Sequence, residues 1–138
     1  MISFTSLIDE ALKARKNCYA PYSEFFVGAA ILLKDNNIIT GVNIENASYP
    51  VSLCAERSAM ASVISQGQIH EIIGMAIVNS SALLISPCGL CRQFLGEFFT
   101  PEMPIILAND AGEQVITNIF ELLPMAFSKE SLGKRHKI

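Results

Sequence analysis

The sequence is poor in charged residues, and its charge is not biased toward the positive sign. Charged residues make up 17% of the 138 residues, with 13 Asp and Glu against 10 Lys and Arg, a formal net charge of −3. Lys134–Lys137 is the one clustered basic stretch. Proteins that bind nucleic acid through its phosphates need a basic surface, so the composition argues against a nucleic-acid partner.

Long hydrophobic runs are also missing, although apolar residues make up 51% of the sequence and the mean hydropathy is +0.38. No apolar stretch reaches the ~18–20 residues of a membrane-spanning helix. The N-terminal stretch, which includes Asp9 and Glu10, lacks the basic region and apolar core of a signal peptide. We therefore expect a cytoplasmic protein with no membrane partner.

The high apolar content also bears on assembly. A chain this short buries about 70% of its surface on folding, so the apolar excess predicts self-association.

Hydrophobic periodicity and turn residues divide the chain into helices and strands. The predicted helices are 3–17, 54–66, 88–99 and 119–123, and the predicted strands are 27–34, 38–44, 72–79, 105–108 and 114–117. The length predicts a single domain over residues 1–138. The order αββαβαββα predicts an α/β fold, a three-layer α/β/α sandwich around a central five-stranded mixed sheet.

Three cysteines stand at the predicted starts of helices. Cys54 opens one helix, and Cys88 and Cys91 lie one turn apart at the start of the next. Backbone N–H groups and the helix dipole favour thiolates at such positions. Three thiolates suit zinc at ~2.3 Å per sulfur, and three protein ligands leave one position open, as in catalytic zinc sites. Neither histidine, His70 or His136, lies near these motifs, so no fourth ligand is evident.

Other uses of the thiols stay open on the cysteine pattern alone. Four cysteines allow two disulfides, and the Cys88-x-x-Cys91 pair by itself fits a redox pair or half of a structural zinc site. The lack of a signal-peptide pattern favours free thiols. Cys18, at the end of the first predicted helix, is expected to be a small buried apolar residue.

Two charged residues accompany Cys54. Glu56 would lie roughly 200° from Cys54 around a regular helix, so both reach one site only if Cys54 is at the irregular helix entrance. Glu56 is then the catalytic residue that carries protons for a zinc-activated water. Arg57 shares the helical face of Cys54. We expect its guanidinium to hydrogen-bond the sulfurs and to offset the net negative charge of three thiolates around Zn²⁺.

These motifs resemble those of the small zinc-dependent cytidine deaminases. Residues 54–57 (Cys-Ala-Glu-Arg) and 87–93 (Pro-Cys-Gly-Leu-Cys-Arg-Gln) look like the two signatures of that family. The similarity covers most of the chain and extends through 21–23, Phe25, 27–30, 43–50, 121–124 and Phe127. Ser48 stands where many relatives carry cysteine, which leaves the expected ligand set unchanged.

The resemblance implies a set of nucleoside-binding residues. Phe25 would pack on the pyrimidine, and the backbone beside Ala55 would bind the edge of the ring. Asn43 and Glu45 would hold the ribose hydroxyls. This role suits their chemistry, because they alternate along a predicted strand end and so share a face, and an amide and a carboxylate both bind hydroxyl groups.

The resemblance also implies an assembly, a cofactor and a reaction. It predicts one zinc ion per chain and a homotetramer whose sites are completed by neighbouring subunits, with Tyr49 at the pocket and Phe127 entering a neighbour's pocket. The implied reaction is hydrolytic deamination of cytidine and 2′-deoxycytidine to uridine and 2′-deoxyuridine with release of ammonia, in pyrimidine nucleoside salvage. The implied partner is a small pyrimidine nucleoside.

Three alternatives differ from this interpretation in recognisable ways. A deaminase of blasticidin-type antibiotics shares the cysteine motifs and the Leu-Leu-Pro ending, but such relatives lack the ribose-binding carboxylate that corresponds to Glu45. A polynucleotide deaminase needs basic loops along the bound strand, which this acidic chain lacks. A non-catalytic zinc or interaction module would be expected to carry a fourth metal ligand.

Overall fold

A computed structural model describes residues 3–135 and contains four helices and five strands. The helices are α1 (Phe4–Arg15), α2 (Ala55–Ser65), α3 (Gly89–Gly96) and α4 (Ile119–Leu122), and the strands are β1 (Val27–Leu33), β2 (Ile38–Val42), β3 (Ile72–Asn79), β4 (Ile105–Asn109) and β5 (Gln114–Thr117). Short 3₁₀ segments occupy Tyr49–Val51, Ile69–Glu71 and Lys129–Arg135. Residues 136 and 137 of the basic cluster lie outside the described residues.

The five strands form one mixed sheet in the order β2-β1-β3-β4-β5. Only the β3–β4 pair is parallel among the described strands, because α3 lies between them in sequence and returns the chain to the same end of the sheet. The predicted α/β class and five-stranded mixed sheet are confirmed.

The two faces of the sheet carry separate hydrophobic cores. In β1, Ala30 and Leu32 pack toward α1, whereas Ala29, Ile31 and Leu33 pack in the core with α2, α3 and α4. This alternation follows from the two-residue repeat of a strand. One helix covers one face and three helices cover the other, which gives the predicted three layers.

Two glycines allow the helices to approach the sheet closely. A Cβ atom at Gly28 would lie 2.0 Å from the Ala11 carbonyl oxygen in α1, and one at Gly41 would lie 2.2 Å from the Ala59 amide nitrogen in α2. Neither helix backbone has room for a larger side chain at these points. Gly41 therefore determines how closely α2, whose N-terminus carries Cys54, packs on the sheet.

The predicted boundaries differ from the observed ones mainly where the chain leaves an element. The strand predicted to reach Ile44 ends at Val42, because Ile44 instead forms isolated bridges to Tyr19 and Leu53. The helix predicted over 88–99 ends at Gly96 and continues as a turn.

Among the described residues, no helix is long and apolar enough to cross a membrane.

Candidate active site

The three cysteines meet where the N-termini of α2 and α3 converge. Cys54 and Cys88 are the N-cap residues of these helices, both with extended backbone, and Cys91 lies in the first turn of α3. Their burial differs: Cys91 is buried, Cys54 is half-buried and Cys88 is exposed. Two helix N-termini therefore direct free backbone N–H groups and positive dipole ends toward the sulfurs.

The sulfur positions fit a zinc ion. The Sγ atoms of Cys54 and Cys88 are 3.9 Å apart, and all three sulfurs lie within 4.8 Å of one another. Tetrahedral coordination at ~2.3 Å per sulfur requires neighbouring sulfurs to be ~3.8 Å apart. Within residues 3–135, no other group of three His, Cys, Asp or Glu side chains comes together in this way, and Cys18 lies outside the group.

Arg57 provides the positive charge that was predicted next to the sulfurs. Its Nη2 atom is 3.8 Å from Cys54 Sγ and 3.5 Å from the Ser52 carbonyl oxygen. Hydrogen bonds from the Cys91 thiol, and then from Arg57, lower the pKa of Cys54 to about 5. The hydrogen bond that the Cys91 thiol donates to Cys54 raises the pKa of Cys91, and burial raises it further. These contacts favour the thiolate form of Cys54, the form that binds metal.

Glu56 is the one charged side chain among the described residues that is buried, with 5% of its surface exposed. Burial raises the pKa of its carboxyl group above the ordinary range, against opposing hydrogen bonds from its own backbone and from the Cys91 thiol. Because Cys54 is an N-cap residue outside the regular helix, Glu56 and Cys54 line the same cavity. A buried acid with a raised pKa beside thiol ligands is suited to carry protons.

The cavity next to the sulfurs has a volume of about 250 Å³. Seven of the predicted site residues line it: Phe25, Asn43, Glu45, Cys54, Ala55, Glu56 and Cys88. A cavity of this size accommodates a small molecule.

Asn43 supports the loop that carries Phe25. Its Oδ1 atom accepts a hydrogen bond from the Val27 amide at 3.0 Å, and its Nδ2 atom donates to the Phe25 carbonyl at 2.7 Å. Asn43 lies just beyond the end of β2 rather than within it. The side chain therefore fixes the backbone on both sides of Phe26, while its remaining N–H hydrogen stays available to a ligand.

Glu45 is held by the turn before Phe25. Its Oε1 atom accepts hydrogen bonds from the amides of Tyr22 and Ser23 at 3.0 and 3.1 Å, and the Ser23 hydroxyl donates to Oε2. The Ser23 hydroxyl contributes most to lowering the pKa of Glu45. Glu45 is therefore oriented as a carboxylate, with lone pairs left to accept from a ligand.

Tyr49 and Phe127 do not reach this cavity in their own chain. Tyr49 is 71% exposed and packs edge-on against Tyr22, with ring centroids 6.0 Å apart. Phe127 is 63% exposed, and its carbonyl oxygen accepts a hydrogen bond from Gln93 Nε2 at 3.0 Å. The roles predicted for these two rings stay predictions.

Several residues at the site were not found from the sequence. Asn79 and Ile77 line the cavity from the end of β3, and Ser23 orients Glu45. Asn79 is 3% exposed, and its Oδ1 atom accepts a hydrogen bond from the Ser81 amide. A polar residue at the end of an otherwise apolar strand was a usable signal for Asn79, whereas nothing local distinguishes Ser23 from an ordinary turn serine.

Comparison with known proteins agrees with this geometry. Residues 2–107 match the family described as the cytidine and deoxycytidylate deaminase zinc-binding region. That match spans more than half of the chain, and the protein belongs to this family. The cofactor of the three-thiol site is zinc, and the protein is an enzyme of the zinc-dependent deaminase class.

The similar proteins cover three quarters or more of the chain. A cytidine deaminase of Sporosarcina psychrophila is 45% identical over 127 residues, which span 92% of this chain and 93% of that protein. The crystal structure of cytidine deaminase from Burkholderia pseudomallei has a TM-score of 0.88 and 40% identity, covering 91% of this chain and 100% of that one. A blasticidin-S deaminase of Bacillus cereus is 34% identical over 110 residues, covering 75% and 77% of the two chains.

Replacing Cys88 by alanine should remove most of the bound zinc, because two thiols hold the ion much less tightly than three. Elemental analysis should find one zinc per chain in the wild-type protein and far less in Cys88→Ala. Cys18→Ala is the matched control, since Cys18 lies outside the three-thiol group. Zinc loss from the control, or full zinc content in Cys88→Ala, would contradict the ligand assignment.

Proposed function

We propose that this protein catalyses the hydrolytic deamination of cytidine and 2′-deoxycytidine, giving uridine and 2′-deoxyuridine with release of ammonia. The observation that carries the proposal is the burial of Glu56 in a cavity whose wall includes Cys54 and Cys88. Zinc held by Cys54, Cys88 and Cys91 would supply a Lewis acid that activates water as the nucleophile. Family membership and the named relatives support the same reaction.

Glu56 performs the proton transfers in this reaction. Its carboxylate accepts a proton from the attacking water and passes it to N3 of the pyrimidine, while the water oxygen forms a bond to C4. The proton of the new hydroxyl group then moves through the same carboxyl group to the amino nitrogen. The C4–N bond breaks with its electron pair on nitrogen, and ammonia leaves. A raised pKa suits Glu56 to alternate between its two protonation states.

The other residues of the cavity bind and orient the nucleoside. Phe25 packs on the ring, and the backbone beside Ala55 binds the ring edge. Asn43 and Glu45 bind the ribose hydroxyls through the hydrogen-bonding positions that their loop contacts leave free. Both side chains also hold the loop that carries Phe25, so ribose binding and ring packing depend on the same hydrogen bonds.

A second candidate substrate is an aminonucleoside antibiotic of the blasticidin type. The similarity to the blasticidin-S deaminase of Bacillus cereus supports this alternative. The oriented Glu45 carboxylate supports cytidine instead, because it provides an acceptor for ribose hydroxyls. Turnover of cytidine and of blasticidin S by the same preparation decides between the two.

The proposed assembly is a cytosolic homotetramer of single-domain chains over residues 1–138, with active sites completed by neighbouring subunits. Exposed aromatic and apolar side chains support association, among them Tyr49, Leu90, Met125 and Phe127. A groove of about 780 Å³ beside the ends of α3 and α4 adds further apolar surface. Phe127, which does not reach its own cavity, enters the pocket of a neighbour in this arrangement.

Glu56→Gln should lower turnover of cytidine by at least ~10²–10⁴-fold, because glutamine keeps the volume and much of the hydrogen bonding but carries no proton. Zinc content should stay at the wild-type level. The exposed Glu71 provides a matched control as Glu71→Gln, which should keep wild-type turnover. Near-normal turnover in zinc-loaded Glu56→Gln would exclude the proposed proton carrier.

Glu45→Ala should raise the KM for cytidine by roughly 10–100-fold, the loss expected for a hydrogen bond to a charged group. The kcat at saturating cytidine should fall much less. Free cytosine should be a poor substrate of the wild-type enzyme, because it lacks the ribose. Comparable kcat/KM values for cytosine and cytidine would contradict the assignment of Asn43 and Glu45 to the sugar.

Phe127→Ala should raise the KM by about 2–10-fold, since one aromatic stacking partner contributes about 0.5–1.5 kcal/mol beyond its burial. Zinc should remain bound, because all three proposed ligands come from one chain. Dilution that dissociates the assembly should lower specific activity without releasing zinc. A fully active monomer, shown by light scattering and assay on the same sample, would refute the shared site.

A further inference from the structure

The Arg92 side chain connects two separate parts of the structure beside the proposed zinc site through three hydrogen bonds. Its Nε atom donates to the Pro87 carbonyl oxygen at 2.8 Å, and its Nη2 atom donates to the Ser86 hydroxyl oxygen at 2.5 Å. Its Nη1 atom donates to the Leu122 carbonyl oxygen at 2.7 Å. One half-buried guanidinium therefore joins the loop before Cys88 to the end of α4.

The acceptors of Arg92 are neutral. The ion pairs found within residues 3–135 are Lys13–Glu10 and Arg15–Asp110, and neither includes Arg92. Leu122 is the last residue of α4, where carbonyl groups are left without helical partners and interact favourably with a cation. The fixed fork of the guanidinium, more than its charge alone, accounts for binding three acceptors in different directions.

The loop that Arg92 holds leads directly to an exposed metal ligand. Cys88 follows Pro87 and is the exposed member of the three cysteines. In the described part of the chain, the hydrogen bonds that hold Ser86 and Pro87 come from this one guanidinium group. Without them, the backbone before Cys88 would lose its side-chain links to α3 and α4. Cys88 would then be held toward Cys54 and Cys91 only by its own place at the start of α3, where its carbonyl oxygen accepts from the Arg92 amide.

We propose that Arg92 is a positioning residue that sets how long the zinc ion stays bound, by fixing the loop that carries Cys88 onto α4. The inference rests on the proposed function in that Cys88 is taken as a zinc ligand. Arg92 acts differently from Arg57, because it donates to backbone and hydroxyl oxygens before the ligand, whereas Arg57 contacts a ligand sulfur. Partners that orient metal ligands commonly change metal affinity by 10–100-fold when they are replaced.

The test is the rate at which zinc passes from the purified, zinc-loaded protein to an excess of a chromogenic chelator. Arg92→Gln should release zinc at least about tenfold faster than the wild type. Arg92→Lys should also release it faster, because one ammonium group keeps the charge but does not reach three divergent acceptors. Ser86→Ala, which removes one of the three contacts, should give a smaller acceleration.

Arg15→Gln is the matched control for general loss of stability. Arg15 also uses its guanidinium for long-range contacts, to the Asn79 carbonyl and to Asp110, but neither acceptor belongs to the loop before Cys88 or to the three cysteines of the site. The Arg15→Gln variant should release zinc at the wild-type rate, even if its melting temperature falls as much as that of Arg92→Gln. Equal acceleration in both glutamine variants would overturn the proposal, as would wild-type release from Arg92→Gln or Arg92→Lys.

Three further outcomes keep the test decisive. If Arg92→Gln does not fold, Arg92→Lys and Ser86→Ala carry the test, and wild-type release rates in both overturn the proposal. If the wild-type protein binds no zinc, the metal site of the proposed function fails. If it binds zinc and deaminates cytidine while all Arg92 variants keep the ion equally long, only the role of Arg92 fails.

Discussion

The convergence of two helix N-termini is the constraint on which the site depends. Helices α2 and α3 begin near one end of the sheet, beside Val27 and Asn79. The Sγ atoms of their N-cap cysteines, Cys54 and Cys88, are therefore only 3.9 Å apart. A metal ion requires its cysteine ligands as thiolates, and thiolates at this distance would repel one another; the positive helix ends and Arg57 would oppose that repulsion. The close approach of α2 to Gly41 fixes the position of one of the two helices. The chemistry of the site is thus a consequence of how tightly the helices pack on the sheet.

The features predicted correctly from the sequence are those that local patterns encode. Nearly continuous apolar runs bounded by turn residues located the strands, and the positions of Cys54, Cys88 and Cys91 at helix starts located the metal site before any contact was known. The prediction that Cys54 lies at the irregular entrance of its helix was also correct. Cys54 is the N-cap residue of α2, and it lines one cavity together with Glu56, two residues later. Spacing within one turn of a helix is short-range information, and one sequence is enough to interpret it.

The features that escaped prediction arise from contacts between distant segments. Asn43 and Glu45 were assigned to the sugar, yet most of their hydrogen bonds fix the backbone of residues 22–27. That arrangement depends on the bridge between Tyr19 and Ile44, which ends β2 early and brings the two loops together. Arg92 was noted only as part of a motif, because its acceptor Leu122 is thirty positions further along the chain. Sequence periodicity contains no information on such pairings.

The burial of Glu56 is difficult to explain as a contribution to stability. A carboxyl group removed from water is destabilising in its charged form, and its raised pKa reflects that penalty. The neighbouring cations do not cancel this desolvation penalty, because Arg57 contacts Cys54 and Arg92 donates to neutral oxygens. A glutamine would have a smaller desolvation penalty at the same volume. The fold therefore retains an acid where a neutral side chain would favour stability, which is the relation expected when the group is needed to transfer protons.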